Sequence, residues 1–372
     1  MATYEFMNNK NKLNWIQLDI TARCQAMCLE CARNIDGKDV NPFIGKPHSW
    51  DMPLDVIKKA VTPEMLSNNL QKILFNGNFG DPCIHPQFLD ICQYIVDHAH
   101  KDLRLNISTN GAMFDSEYWT KVGDVLKNIT HGVIFGIDGL ADTHHIYRRN
   151  TKYENVINNV KAFIDAGGHA DWQYIVFDHN KHQVEEAKQI AKEIGFNSIF
   201  FRGLTTGSGA ARNFTKAVNK HKDGGMGAKT KKNNEVVVHI DGRKGYQEAK
   251  KIVGEAPKDF LDTANISCQY YNSKGMYVEY DGTVWMCCWT GDMHKRKNQL
   301  FGMDKISQEW KHITKRFGKH FNNLHYHSFD DILNHEFFVS YLDKTFNSTR
   351  NDPDTPRLDT CAKTCVWGKN FV

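Results

Sequence analysis

The chain has 372 residues, 41% of them hydrophobic and 24% charged. That mix excludes a wholly disordered protein and leaves room for ~2–3 domains with cores of their own. No apolar run reaches about 18 residues, which excludes a membrane-spanning helix. The N-terminal MATYEFMNNKNKLNW lacks the apolar stretch of a signal peptide, so a cytoplasmic location without membrane partners is expected. The net charge is +4, but the segment 216–251 alone carries nine Lys and one Arg against four acids. The basic excess is therefore local and reads as a solvated loop or a clamp for an anionic substrate. Aromatics there are sparse and no nucleic-acid-binding motif accompanies them, so nucleic acid is not indicated.

Short β-type runs alternate with helical patterns over the first two hundred residues. Residues 15–20 (WIQLDI) read as a strand, followed by a helix with Asp51 as N-cap and Pro53 in its first turn. Further strands are expected at 73–75, 103–108, 132–137, 172–177 and 199–201. The helices between them include one capped by Asp115, one stopped by Gly167–Gly168 and one ending at Gly195. Six strand–helix repeats without a hairpin signal predict a parallel sheet with right-handed crossovers, and chemistry at the C-terminal strand ends. A β-hairpin turning at Asp281–Gly282 is expected over 275–286.

The ten cysteines are too few for a disulfide scaffold, and they cluster. Cys24, Cys28 and Cys31 form a CxxxCxxC in the loop after the first strand. Three soft thiolates on one loop suit one face of an iron–sulfur cluster, with one iron left open. Zinc is the alternative, although structural zinc prefers four ligands in paired spacings. Cys268, Gly282 and Cys287 are separated by thirteen and four residues, and Cys361 and Cys365 follow. The hairpin would bring the first two thiols to one end, and four thiols would close a second cluster or bind zinc. Cys288 reads as a spare thiol on the opposite strand face. Cys83 and Cys92 read as buried apolar residues.

CxxxCxxC after the first strand of a β/α repeat resembles the signature of radical S-adenosylmethionine (SAM) enzymes. Gly80-Asp81-Pro82 resembles that family's Gly-Glu-Pro motif, which holds the SAM amino group. Ser108-Thr-Asn110-Gly111 ends the third strand as in the family. Gly136-Ile-Asp138-Gly139, followed by Thr143 to Arg148, resembles the SxDG…HDxxR pattern of members with auxiliary clusters. The resemblance implies that Arg148 contacts the SAM carboxylate. It places Gly80, Asp81, Ser108, Asn110, Gly136, Asp138 and Arg148 around SAM; Asp138 reads equally as a ribose contact or a turn cap. Three positions depart from the family: Glu30 replaces an adenine-packing aromatic, Asp81 a Glu, and Gly136 a Ser. The Cx(9–15)GxxxxC spacing and the later cysteines resemble a SPASM domain in its shorter, single-cluster "twitch" form.

The resemblance implies a partial (β/α)6 TIM-like barrel over 1–205, a basic insertion or linker over 206–262, and a small C-terminal cysteine-rich α+β auxiliary-cluster domain over 263–372. It implies a 4Fe–4S cluster on Cys24, Cys28 and Cys31, an auxiliary 4Fe–4S cluster on Cys268, Cys287, Cys361 and Cys365, and SAM. Its activity would be reductive cleavage of SAM to a 5′-deoxyadenosyl radical, then hydrogen abstraction from a small molecule or a peptide. A one-electron reductant such as flavodoxin or ferredoxin is the implied partner. A non-catalytic iron–sulfur carrier is the alternative, and no general base stands out from the sequence.

Overall fold

The computed structural model describes residues 9–29, 31, 34–35, 38–39, 51–203, 237–241, 260–263, 265–291 and 304–365. Glu30, most of the basic segment and its helix-like patch at 246–253 lie outside the described residues. In chain order the strands are β1 (Trp15–Leu18), β2 (Lys72–Phe75), β3 (Arg104–Thr109), β4 (Thr130–Gly136), β5 (Ala170–Val176), β6 (Ser198–Gly203), β7 (Val237–Asp241), β8 (Gly275–Val278) and β9 (Val284–Trp285). A separate small hairpin pairs Asn34–Ile35 with Lys38–Asp39. No described helix is long and apolar enough to cross a membrane.

The chain divides into two compact units that alternate along the sequence. One contains Met1–Ile20, Met52–Leu74 and Lys244–Val372; the other contains Thr21–Asp51 and Phe75–Arg243. In the first unit, β1 lies between β2 and β8 and runs parallel to both, and β9 returns antiparallel to β8. Ile16, Leu18, Ile73, Met276, Val278 and Trp285 are fully buried there. The expected hairpin is present, with Gly282 at φ +80° in its turn. The pairing of β8 with β1 is not visible in the sequence, because it joins residues some 260 positions apart.

In the second unit β3, β4, β5, β6 and β7 run parallel in that order. Residues 237–241 thus add a strand inside the segment expected to be an insertion or linker. After α1 (Leu54–Ala60) and α2 (Pro63–Asn68) of the first unit, helices α3 (Phe88–His98), α4 (Ser116–Leu126), α5 (His144–Tyr147), α6 (Tyr153–Asp165) and α7 (Val184–Ile194) follow their strands. The α4–α6 layer packs on β4 through Trp119, Phe135 and Phe163, with ring centroids 5.2 Å apart for Trp119–Phe135 and 5.7 Å for Phe135–Phe163. Burial of each such side chain contributes roughly 1.5–3 kcal/mol. The strand order does not close on itself. The α/β arrangement is mostly parallel and open, that of a partial barrel.

One cap differs from expectation. The helix Leu54–Ala60 has Pro53 as its N-cap, without a side-chain cap bond. Asp51 is instead engaged by Arg23 and by the Thr21 hydroxyl, 2.6 Å away. The chain just before a proline is biased toward extended backbone, which moves Asp51 off the helix end and toward the cysteine loop.

Candidate functional site

The cysteine loop lies wholly within the second unit and is fixed from several sides. The Arg23 carbonyl accepts the Asp81 N–H at 2.6 Å. Gly80 allows that approach, because a Cβ there would fall 2.1 Å from the Thr21 carbonyl oxygen. The Met27 N–H donates to the Arg149 carbonyl at 2.9 Å, and Asn150 Nδ2 donates to the Gln25 carbonyl at 2.7 Å. Gln25 Nε2 reaches Asn110 Oδ1 at 2.6 Å. Cys28 is buried with Ala26, Tyr147 and Phe177, and Cys24 and Cys31 pack against this group. The three thiols therefore share one enclosure.

Asp81 is almost fully buried and entirely committed within the chain. Its oxygens accept from Thr109 Oγ1 at 2.9 and 3.0 Å, Asn110 N at 2.7 Å, Asn110 Nδ2 at 2.5 Å and Cys83 N at 3.1 Å. Burial pushes its carboxyl up, against the pull of these donors. Asn110 Nδ2 also lies 3.6 Å from Cys24 Sγ. Ser108, one position before Thr109, donates instead to Asn76 Oδ1 at 3.1 Å. Adjacent strand residues face opposite ways, so Thr109 rather than Ser108 reaches Asp81.

At the end of β4 a second carboxylate is buried and held from within the chain. Asp138 is fully buried; one oxygen accepts from Arg148 Nε at 2.6 Å and the other from the Ile175 N–H. Burial raises its carboxyl and Arg148 lowers it. Arg148 Nη1 lies 3.8 Å from Cys28 Sγ, and its guanidinium stands 5.5 Å over the Tyr147 ring. Burial pushes the Cys28 thiol up, and Arg148 pulls it down. A Cβ on Gly136 would fall 2.5 Å from Arg148 Nη2. The room a serine would take at this position is filled by the guanidinium. Sequence reading missed Gln25, Thr109, Asn150 and Phe177; only Thr109, inside the Ser-Thr-Asn-Gly run, carried a signal.

The second cysteine group lies in the first unit. Cys268 precedes the short helix Gln269–Asn272, Cys287 follows β9, and Cys361 and Cys365 flank one turn of the helix Asp359–Thr364. The Cys365 thiol donates to Cys268, lowering Cys268 and raising itself. Burial pushes Cys287 up to about 11, reinforced by Cys268; it raises Cys361 too, reinforced by Cys287 and Cys268. Cys268, Cys287 and Cys361 are buried and Cys365 is half-buried; a donor set of four neighbouring cysteines fits a metal cluster, which takes up the thiolates that burial alone disfavours. Among the described residues no three His, Cys, Asp or Glu side chains close around a point as a single bound ion requires. Cys288 opens a short helix rather than continuing the strand, and the Tyr270 hydroxyl approaches its sulfur at 3.8 Å. Cys83 and Cys92 are buried, as expected.

Comparison with known proteins gives matches across both regions. Residues 18–191 match the Radical SAM superfamily, and residues 268–366 match SPASM, an iron–sulfur cluster-binding domain. The chain is 22% identical over 203 residues to a tungsten-containing aldehyde ferredoxin oxidoreductase cofactor-modifying protein of Pyrococcus furiosus, covering 52% of each. It is 22% identical over 203 residues to a GTP 3′,8-cyclase of Desulforamulus reducens, covering 54% of this chain and 58% of that one. The aligned stretch thus spans about half the length of these curated relatives. Among solved structures, Streptococcus suis SuiB bound to precursor peptide SuiA is similar, with a TM-score of 0.53 and 11% identity, over 95% of this chain and 72% of that one. Native anSMEcpe with bound AdoMet is similar, with a TM-score of 0.52 and 15% identity, over 94% of this chain and 89% of that one.

Proposed function

We propose that the chain, whose residues 18–191 match the Radical SAM superfamily and residues 268–366 the SPASM iron–sulfur domain, is a radical SAM enzyme of oxidoreductase type acting on a peptide or protein side chain. When bound, a 4Fe–4S cluster, SAM and an auxiliary cluster supply a 5′-deoxyadenosyl radical and a path for electrons. The observation that carries the reading is the enclosure of Cys24, Cys28 and Cys31 beside a carboxylate-anchored guanidinium.

In this proposal Cys24, Cys28 and Cys31 hold the SAM-binding cluster. Cys268, Cys287, Cys361 and Cys365 hold a single auxiliary cluster, since Cys83 and Cys92 are buried in the other unit. The Gly80–Pro82 turn meets the SAM amino group. The outer edge of Arg148 meets the SAM carboxylate, with Gly136 leaving it room. Asp81 and Asp138, both buried, position Asn110 and Arg148 at the SAM site. Ser108 and Asn110 complete the strand-end rim. The proposed functional division is 1–205, extended by the strand Val237–Asp241, and 263–372, with a flavodoxin or ferredoxin the proposed reductant.

Peptide is favoured over small molecule because solved neighbours that cover nearly the whole chain include complexes with peptides. The curated relatives, one of them a GTP cyclase, match only about half of it. The test incubates the dithionite-reduced, reconstituted protein with SAM and either a panel of short peptides or GTP. Deoxyadenosine above the substrate-free background with a peptide supports this class. A rise with GTP alone overturns it in favour of a small-molecule substrate.

A further inference from the structure

Two of the three clustered thiols are approached by an N–H donor, and each donor is held by a buried carboxylate. Asp81, at the β2 end, grips Asn110, whose Nδ2 lies 3.6 Å from Cys24 Sγ. Asp138, at the β4 end, grips Arg148, whose Nη1 lies 3.8 Å from Cys28 Sγ. Both distances are within the reach of hydrogen bonds to sulfur. Both carboxylates are themselves fixed: Asp81 also takes Thr109, the Asn110 N–H and the Cys83 N–H, and Asp138 also takes the Ile175 N–H. The donors are thus oriented toward sulfur by groups with little freedom to release them. Gly136 belongs to the same arrangement, since any side chain there would displace the guanidinium.

We propose that Asp81–Asn110 and Asp138–Arg148 are paired relays that raise the reduction potential of the cluster held by Cys24, Cys28 and Cys31. Donors to the sulfurs stabilise the electron-rich, reduced form of an iron–sulfur cluster, and Arg148 adds a positive charge. Asn110 and Arg148 are then positioning and tuning residues toward the cluster, and the two carboxylates set their aim. The relays make the one-electron entry easier for a given reductant. This proposal rests on the cluster reading above.

The test is a potentiometric titration of the full reconstituted chain, followed by electron paramagnetic resonance; the signal that changes on adding SAM identifies the cluster concerned. Asn110→Ala, Arg148→Lys, Gly136→Ala and the Asn110→Ala/Arg148→Lys double variant are compared with native protein at equal iron content. The account expects a more negative midpoint potential in every variant, largest in the double variant. Gly136→Ala keeps the arginine and only moves it, so it carries the test if Arg148→Lys folds poorly. Native iron content with unmoved potentials in Asn110→Ala and Gly136→Ala would overturn the relays. Iron content of a Cys24/Cys28/Cys31→Ala variant separates the two claims: unchanged iron there refutes the cluster itself, whereas loss of iron with unmoved potentials refutes only the relays.

Discussion

At the scale of single residues, the site is governed by who occupies a small volume. Gly136 and Arg148 cannot both carry bulk, because a Cβ at 136 would lie 2.5 Å from Nη2. Gly136→Ser should therefore weaken SAM binding by about tenfold, in line with losses when a supporting contact is disturbed; calorimetric titration of the reconstituted protein with SAM checks this. Asp138→Asn should lower stability by about 3–5 kcal/mol, because it leaves a guanidinium that is only 14% exposed without its anion. Urea unfolding of the variant against native protein reads that loss. The motifs made Arg148, Asp138 and Asp81 legible in the sequence. They did not reveal what holds the two carboxylates, because hydrogen-bond partners such as Thr109 and the Ile175 N–H come from other strands.

At the scale of elements, local signals read well where the deciding chemistry is local. Asp115 caps α4 through the Tyr118 N–H at 3.0 Å, and Gly195 ends α7 at φ +96°. Asp51 did not cap its helix, because Thr21 and Arg23, some thirty positions earlier, compete for its carboxylate. The short helix α5 yields a pH prediction. Its His144 is buried, with Nε2 2.9 Å from Thr151 Oγ1, and burial lowers its pKa from 6.5 to about 3. Between these values the unfolded chain binds a proton that the folded chain does not. Stability should be unaffected by this group above about pH 6.5 and fall below it, by at most about 1.4 kcal/mol per pH unit. Urea midpoints at pH 7.5, 6.5 and 5.5 should decline less steeply for His144→Gln than for native protein. An identical decline would show that His144 is not responsible.

At the scale of the whole molecule, the cysteine arithmetic was the most legible feature. Each cysteine group is defined partly by short spacings, which a loop or a hairpin enforces directly. The approach of the Cys361–Cys365 turn to Cys268 needs long-range folding, seen where the Ser267 N–H donates to the Cys365 carbonyl at 2.9 Å. The division into units was far less legible. β1 pairs with β8, and β7 extends the parallel run from within the basic segment. Strand periodicity is a local property and carries no address for a partner 260 residues away.

We propose that the two cysteine groups hold two separate iron–sulfur clusters, only the first of which serves SAM. The most direct test is the iron and sulfide content after anaerobic reconstitution, in native protein and in the Cys24/Cys28/Cys31→Ala variant. The account predicts about eight irons per chain falling to about four, with loss of the SAM-sensitive signal. Zinc in place of iron, or an iron content that the variant leaves unchanged, would contradict it.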